Sequence, residues 1–241
     1  IVAGEMPDLT GRTGDFFFLA RPDSEQVAQT VVDLCARRLP ASYQLSAFQG
    51  IQVLCPGRQG ELGTVALNRR LQEQLNPPAA DRRTVEIEGT LLRVGDKVMH
   101  VRNNYDIVWT KDNGDGGTGV FNGDIGILER IDPHGDTLSV RYDDRVALYT
   151  RQDAQDLQLS YAATIHKSQG SEFDAVVLPL FHQQKLLCYR NLLYTAVTRA
   201  RKLLIIVGSR DTVEEMVRND RKTLRYSGLQ SFITMWRESG L

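Results

Sequence analysis

Hydrophobic and polar positions follow two textures along this chain. Up to about residue 84, and again from 157 onward, short apolar runs alternate with stretches of helical period. Asp15 to Ala20 is an aromatic run bounded by Gly14 and Pro22 and reads as a buried strand. Asp23 or Ser24 then offers an N-cap, Val27, Val31, Leu34 and Cys35 share one helical face, and Pro40 is expected to stop that helix. Ile51 to Cys55 is the next strand, and it enters a Pro- and Gly-rich turn. Beyond the turn Leu67, Leu71 and Leu75 recur every four residues, Thr64 can cap the helix and Pro77-Pro78 ends it. Ala175 to Leu180 and Leu203 to Val207 are further apolar strands with a helix over Asn191 to Lys202 between them. Helices over Ser209 to Val217 and Leu224 to Trp236 follow. Strands alternating with helices predict an α/β body, a parallel sheet with helices on both faces.

Between residues 85 and 156 the texture changes. Val85 to Leu92, Asp96 to Val101, Ile125 to Ile131, Leu138 to Tyr142 and Arg145 to Tyr149 have strand length, are joined by Asx, Gly and Pro turns, and show no helical period. They predict a small β-barrel inserted into the body. Trp109 to Gly119, WTKDNGDGGTG, is expected to be an exposed, mobile loop.

Composition narrows the function. With 29 Lys plus Arg against 30 Asp plus Glu there is no overall basic footprint, so nucleic-acid binding has to come from local clusters and oriented amides. Only 7% of residues are aromatic, which favours contacts to a strand's backbone over base stacking. The three cysteines, Cys35, Cys55 and Cys188, are far apart in apolar surroundings, lack zinc spacing and read as reduced structural thiols of a cytoplasmic protein. No run approaches the roughly 20 apolar residues of a membrane span, and no membrane partner is expected. The first residues have neither signal-peptide pattern nor initiator Met, and the chain is expected to begin inside a longer protein.

The candidate chemistry lies in three places. Leu159 to Asp174, LSYAATIHKSQGSEFD, leaves an apolar strand, passes Thr164, His166, Lys167 and Gln169, breaks at Gly170 and re-enters a strand past Glu172. Asn191 to Lys202, NLLYTAVTRARK, carries Arg199 and Arg201 at what reads as the tail of a helix, expected near the same sheet edge. Third, the turn Pro56 to Gly63 stands between a strand and a helix N-terminus, a geometry in which amides and dipole can face phosphate. Its glycines also fit a tight connection and nothing more. His166 alone reads equally as a hydrogen-bonded structural residue, Glu172 as a solvated acid and Arg199 as a cation on a helix C-terminus.

HKSQGSEFD followed by YTAVTRAR resembles motifs V and VI of the superfamily 1 helicases, in the RecD-like, 5′-to-3′ branch. The turn with Pro56 and Arg58, the helix residues Leu67, Asn68, Leu71 and Gln72, and the segments RNNY (102–105) and VFNGD (120–124) are similar to the same family. The resemblance implies a RecA-like motor domain, residues 1–84 and 157–241, interrupted by an SH3-like β-barrel called 2B at 85–156. It implies that Pro56, Arg58, Gly63, Thr64, Asn68, Thr164, His166 and Lys167 face single-stranded DNA, that Gly170, Glu172 and Arg199 bind nucleotide, and that Arg199 is the arginine finger. ATP with Mg²⁺ would be shared with an upstream RecA-like domain that supplies the metal ligands, and no metal site is expected within this chain. The chain has no G-x-x-x-x-G-K-[ST] loop and no paired Asp-Glu, so hydrolysis by these residues alone is not expected. The rival reading is a nucleic-acid-binding module that keeps the helicase fold without ATPase activity of its own.

Overall fold

The run Ala175 to Leu180 has no polar side, and the chain buries both of its faces. The computed structural model describes residues 1–11, 13–182 and 184–220. In chain order the body begins with β1 (Phe16–Ala20), α1 (Ser24–Asp33), α2 (Leu39–Tyr43), β2 (Ile51–Cys55) and α3 (Thr64–Leu75). The insertion comprises β3 (Thr84–Ile87), β4 (Thr90–Arg93), β5 (Lys97–His100), β6 (Asn104–Lys111), β7 (Gly116–Val120), β8 (Ile125–Ile131), β9 (Thr137–Tyr142), β10 (Arg145–Thr150) and β11 (Leu157–Leu159). The body resumes with β12 (Ala162–Thr164), β13 (Phe173–Leu180), α4 (Arg190–Val197), β14 (Ala200–Gly208) and α5 (Arg210–Arg218).

Five strands in the order β1-β14-β13-β2-β12 form a wholly parallel sheet. Its side chains alternate between two cores, as a strand's period of two requires. Ala175, Val177, Ile205 and Val53 pack beneath α1 and α3 with Val27, Val31, Leu67 and Leu71. Val176, Leu178, Leu204 and Ile206 face the other way, onto Leu192, Leu193, Val213 and Met216 of α4 and α5. The insertion is a seven-stranded antiparallel sheet, β11-β5-β8-β9-β10-β6-β7, and the hairpin β3–β4 shares its core through Val85, Ile87 and Leu92. The α/β body with helices on both faces and an inserted β-structure is thus the observed architecture.

Several local expectations are corrected. Pro40 does not stop the first helix. A π-helical turn over Leu34–Arg38 widens the chain just before it, so proline falls in a first turn, where its missing N–H costs nothing, and α2 runs on to Tyr43. Gly63, not Thr64, occupies the N-cap of α3. The segment Trp109 to Gly119 is a β-hairpin rather than a mobile loop. Trp109 pairs with Gly117 and Thr110 with Gly116, and a Cβ on Gly117 would lie 2.4 Å from the Trp109 ring, so the glycine makes room for the indole. The turn is tied by an Asp112–Arg141 ion pair at 2.9 Å. β11 pairs with β5, so residues 157–159 belong to the sheet of the insertion. β14 starts at Ala200, which puts Arg201 and Lys202 on a strand rather than a helix. The helix expected over Leu224 to Trp236 lies outside the described residues.

Body and insertion are joined by two consecutive residues. Asp96, without solvent exposure, accepts from Gln72 Nε2 at 2.6 Å, Asn76 Nδ2 at 2.7 Å, Tyr161 Oη at 2.9 Å and the Arg93 amide at 2.7 Å. Burial raises its carboxyl above the usual range, and these four donors pull it back. Lys97 runs into the body and donates to the Ile51 carbonyl at 3.0 Å. Burial pushes its ammonium down to about 8 from the ordinary 10.5.

The lysine gives a pH prediction. Below about pH 8 its charge is buried at a cost; from about 8 to about 10.5 the unfolded chain holds a proton that the folded protein has released. Unfolding then takes up a proton at this group, so the lysine's own contribution to stability climbs with pH by as much as about 3 kcal/mol across that window. The buried thiols of Cys35, Cys55 and Cys188 work the other way above about pH 9, so the readout is a difference. Across the window, urea denaturation should show wild type gaining stability relative to Lys97→Met, and a constant gap between the two would remove Lys97 as a contributor.

Candidate nucleic-acid interface

Strand pairing decides which loops meet. β12 lies beside β2 with Thr164 level with Cys55, so the turn after β2 and the turn after β12 emerge side by side at the carboxyl edge of the sheet. Together with the β3–β4 hairpin and residues 155–160 they wall a groove of about 460 Å³, with Arg58, Thr64, Asn68, Thr164 and Lys167 among its lining. After β12 the chain makes one 3₁₀ turn over Ile165–Ser168, whose N-cap is Thr164, its hydroxyl accepting from the Lys167 amide at 3.4 Å. Ile165 and Ser168 point inward and fix the turn; His166 is exposed and Lys167 half-buried.

The cations of this groove are unneutralised. Lys167 Nζ donates to Gln158 Oε1 at 3.1 Å, and neither it nor Arg58 has an ion-pair partner among the described residues. Partial burial first, and the charge of Arg58 second, lower the Lys167 ammonium from its ordinary value. Glu88 also lines the groove but pairs with neither cation, and two positive groups held near one another without an ion-pair partner favour an anion between them. His166 Nε2 lies 3.3 Å from the Tyr189 hydroxyl and so faces α4 from the outside.

Other residues of the expected strand-facing set serve the fold. Pro56 and Gly63 are buried. A Cβ on Gly63 would sit 2.4 Å from the carbonyl oxygens of Arg58 and Gln59, so only glycine lets the turn close onto α3. Thr64 and Asn68 are each 8% exposed. Asn68 donates to the Leu159 and Ala162 carbonyls at 3.0 and 2.8 Å and accepts from the Ala162 amide at 2.8 Å, which occupies its whole amide group on backbone. Thr64 and Asn68 line the groove all the same, Asn68 with an amide already committed to backbone. Arg69, exposed on the same groove, was missed; its place one turn after Val65, off the Leu67–Leu71 stripe, was the available signal. Gln158 reaches the groove only through the β11–β5 pairing.

The nucleotide-side residues gather elsewhere. Phe173 is level with Ala200 at the amino ends of β13 and β14, so Glu172 and Arg199 stand at the amino edge of the sheet, opposite Thr164. The expectation of one shared edge is corrected: residues 165–172 run back along the sheet and join the two ends. Arg199 is half-buried two residues past the end of α4. Its Nε donates to the Thr195 carbonyl at 3.2 Å, Nη1 to the Ser171 carbonyl at 3.1 Å and Nη2 to Thr198 Oγ1 at 3.2 Å. No carboxylate among the described residues pairs with it. Glu172 meets Arg201 at 3.0 Å and Asp174 meets Lys202 at 3.1 Å, both near the surface, where such pairs are worth about 0–1 kcal/mol and are readily exchanged. Gly170 has φ +89 and gives the crossover its left-handed bend. Among the described residues no group of three His, Cys, Asp or Glu is placed to hold a metal ion, and no helix is long and apolar enough to cross a membrane. The cysteines are free and buried, with the Cys35 thiol pushed up to about 12 by burial.

Residues 67–142 match the family described as the ATP-dependent RecD-like DNA helicase SH3 domain, and residues 159–207 match the UvrD-like helicase C-terminal domain. The first match begins inside α3, the helix that Asp96 ties to the insertion. The ATP-dependent RecD2 DNA helicase of Deinococcus radiodurans is 36% identical over 166 residues, 69% of this chain and 21% of the relative. The RecBCD enzyme subunit RecD of Mycobacterium tuberculosis is 31% identical over 186 residues, 77% of this chain and 29% of the relative. The chain thus spans between about a fifth and under a third of the length of these relatives.

If Asn68 is a clamp, its removal reads out in stability. Asn68→Ala strips three hydrogen bonds from buried backbone and should cost about 1–3 kcal/mol in urea unfolding, whereas Arg58→Ala, at an exposed position, should stay within about 0.5 kcal/mol of the wild type. Equal effects would refute the division into clamp and surface.

Proposed function

From the premise that this chain is a RecD-like helicase C-terminal region, we propose that it is the C-terminal motor domain of an ATP-dependent DNA helicase that moves 5′ to 3′. It works in a cytoplasmic protein whose upstream RecA-like domain supplies the phosphate loop and the Mg²⁺ ligands. Arg58, Thr164, His166 and Lys167 form its part of the single-strand track, since two unpaired cations beside hydroxyl and imidazole donors suit phosphates spaced along a strand. Arg199 serves as the arginine finger at the other end of the sheet, with Glu172 and Gly170 beside the nucleotide. A guanidinium stays charged and spreads its donors in a plane, which matches the oxygens of a transferring phosphoryl group.

One observation carries this reading: Arg199 rests on neutral oxygens only, and one of them, the Ser171 carbonyl, belongs to the crossover that starts at Thr164. When ATP is held between the two motor domains, the guanidinium exchanges these weak partners for the γ-phosphate. Release of Ser171 frees the crossover, and the turn carrying His166 and Lys167 lies on the same eight residues of chain. Hydrolysis reverses the exchange, so the phosphate state at one edge sets the grip on the strand at the other. Glu172, once parted from Arg201, offers a carboxylate to ribose hydroxyls.

In the full-length protein Arg199→Ala should lower ATP turnover by about 10³-fold or more and leave single-strand affinity within about twofold. Lys167→Ala with Arg58→Ala should do the reverse, weakening strand binding and flattening its dependence on salt. Turnover unchanged in Arg199→Ala sinks the finger assignment.

A further inference from the structure

Two aromatic rings stand in solvent on the insertion, where a folding argument gives them nothing to do. Tyr105, on β6, is 66% exposed and Phe121, one residue past β7, is 42% exposed. Their rings meet edge to face with centroids 5.8 Å apart and an interplanar angle of 76°. Neighbouring positions are ordinary core: Ile107 and Val120 are both buried. The pair has been left outside while smaller residues were taken in.

The loops that carry the pair are tightly held. The Phe121 amide donates to Asp124 Oδ2 at 3.0 Å and the Asn122 amide to Asn103 Oδ1 at 2.9 Å, which ties the two loops to each other. Gly123 donates to the His100 carbonyl at 2.9 Å. Gly119, at φ +100, passes directly under the pair: a Cβ there would meet Phe121 Cζ at 3.4 Å and Tyr105 Cα at 3.9 Å. Rings on such loops are presented in one arrangement, so little order is lost when something flat settles on them.

Position supplies the occupant. Gly123, two residues from Phe121, abuts the crossover turn, where a Cβ on it would lie 4.0 Å from the Lys167 carbonyl oxygen. Arg102, three residues before Tyr105, is 78% exposed at its side chain and only loosely paired, 3.8 Å from Asp156. An aromatic surface whose loop abuts the turn that carries Lys167, with the exposed Arg102 close before Tyr105 in the chain, is complementary to a chain of phosphates that carries planar unpaired bases. Every base has a π face, so such a surface grips without regard to sequence.

We propose that Tyr105 and Phe121 form a stacking platform for an unpaired base of the polynucleotide strand as it leaves the Lys167 groove. The platform rests on the reading of that groove as a strand track and extends the track from the motor body onto the insertion. It also reverses the expectation, drawn from the low aromatic content, of backbone contacts alone: a few rings suffice when placed beside the cations.

Binding of the full-length protein to an oligodeoxythymidylate and to an abasic strand of equal length, which keeps the phosphates and lacks the bases, separates the two ideas. Wild type should prefer the base-bearing strand by about 5- to 100-fold. Tyr105→Leu with Phe121→Leu should lose that preference while holding its affinity for the abasic strand within about twofold. Equal binding of both strands by wild type, or full preference in the double variant, overturns the platform and leaves the track standing. Binding of neither strand by wild type overturns both. A fluorescent base analogue stepped along the strand gives a reading on unaltered protein: quenching at one position is expected, and no quenching at any position also overturns the platform.

Discussion

Asp96 is a carboxylate buried from solvent, and the arrangement of this protein depends on how it is satisfied. Its four donors come from α3, from the turn of the insertion and from Tyr161, which leads into β12. An isolated buried carboxylate would be driven to take up a proton; one that accepts from four oriented donors can stay, and it holds the groups that donate. The same four bonds therefore fix the insertion against the helix and the helix against the strand that ends in Thr164. Lys97, the next residue, reaches into the body and repeats the joint from the opposite side.

That joint is why a groove exists. α3 carries Arg69 and is held down by Asn68, while β11 brings Gln158 from the insertion to the edge of the body. Were the insertion free to swing, Lys167 would lose its only side-chain partner among the described residues and the β3–β4 wall would open. In the reading advanced above, the insertion is then part of the strand-gripping surface rather than an appendage, and the aromatic pair beside Gly123 stands on the same rigid connection.

The crossover of residues 165–172 ties the two ends of the sheet. It is short, it has one left-handed bend at Gly170, and its inward residues Ile165 and Ser168 leave little slack. A short connection packed against α4 passes displacement from one end to the other more directly than a long loop would. Arg199 touches it at one end, through neutral oxygens, and the unpaired cations Lys167 and Arg58 gather at the other.

The chain's own order of residues determined the kinds of element and the chemistry on them. Runs such as Ala175 to Leu180 and the Leu67–Leu71–Leu75 stripe state their burial locally, because strand and helix periods follow from backbone geometry. The motif residues around His166 and Arg199 were legible for the same reason, as polar groups where an apolar pattern breaks. Sequence periodicity does not report which strand lies beside which. Only the pairing of β12 with β2 and of β13 with β14 put Thr164 and Arg199 at opposite edges, turned Asn68 from a surface contact into a clamp, and folded the Gly-rich stretch after Trp109 into a hairpin. Those outcomes depend on contacts between residues distant in the chain, and only the folded structure brings them together.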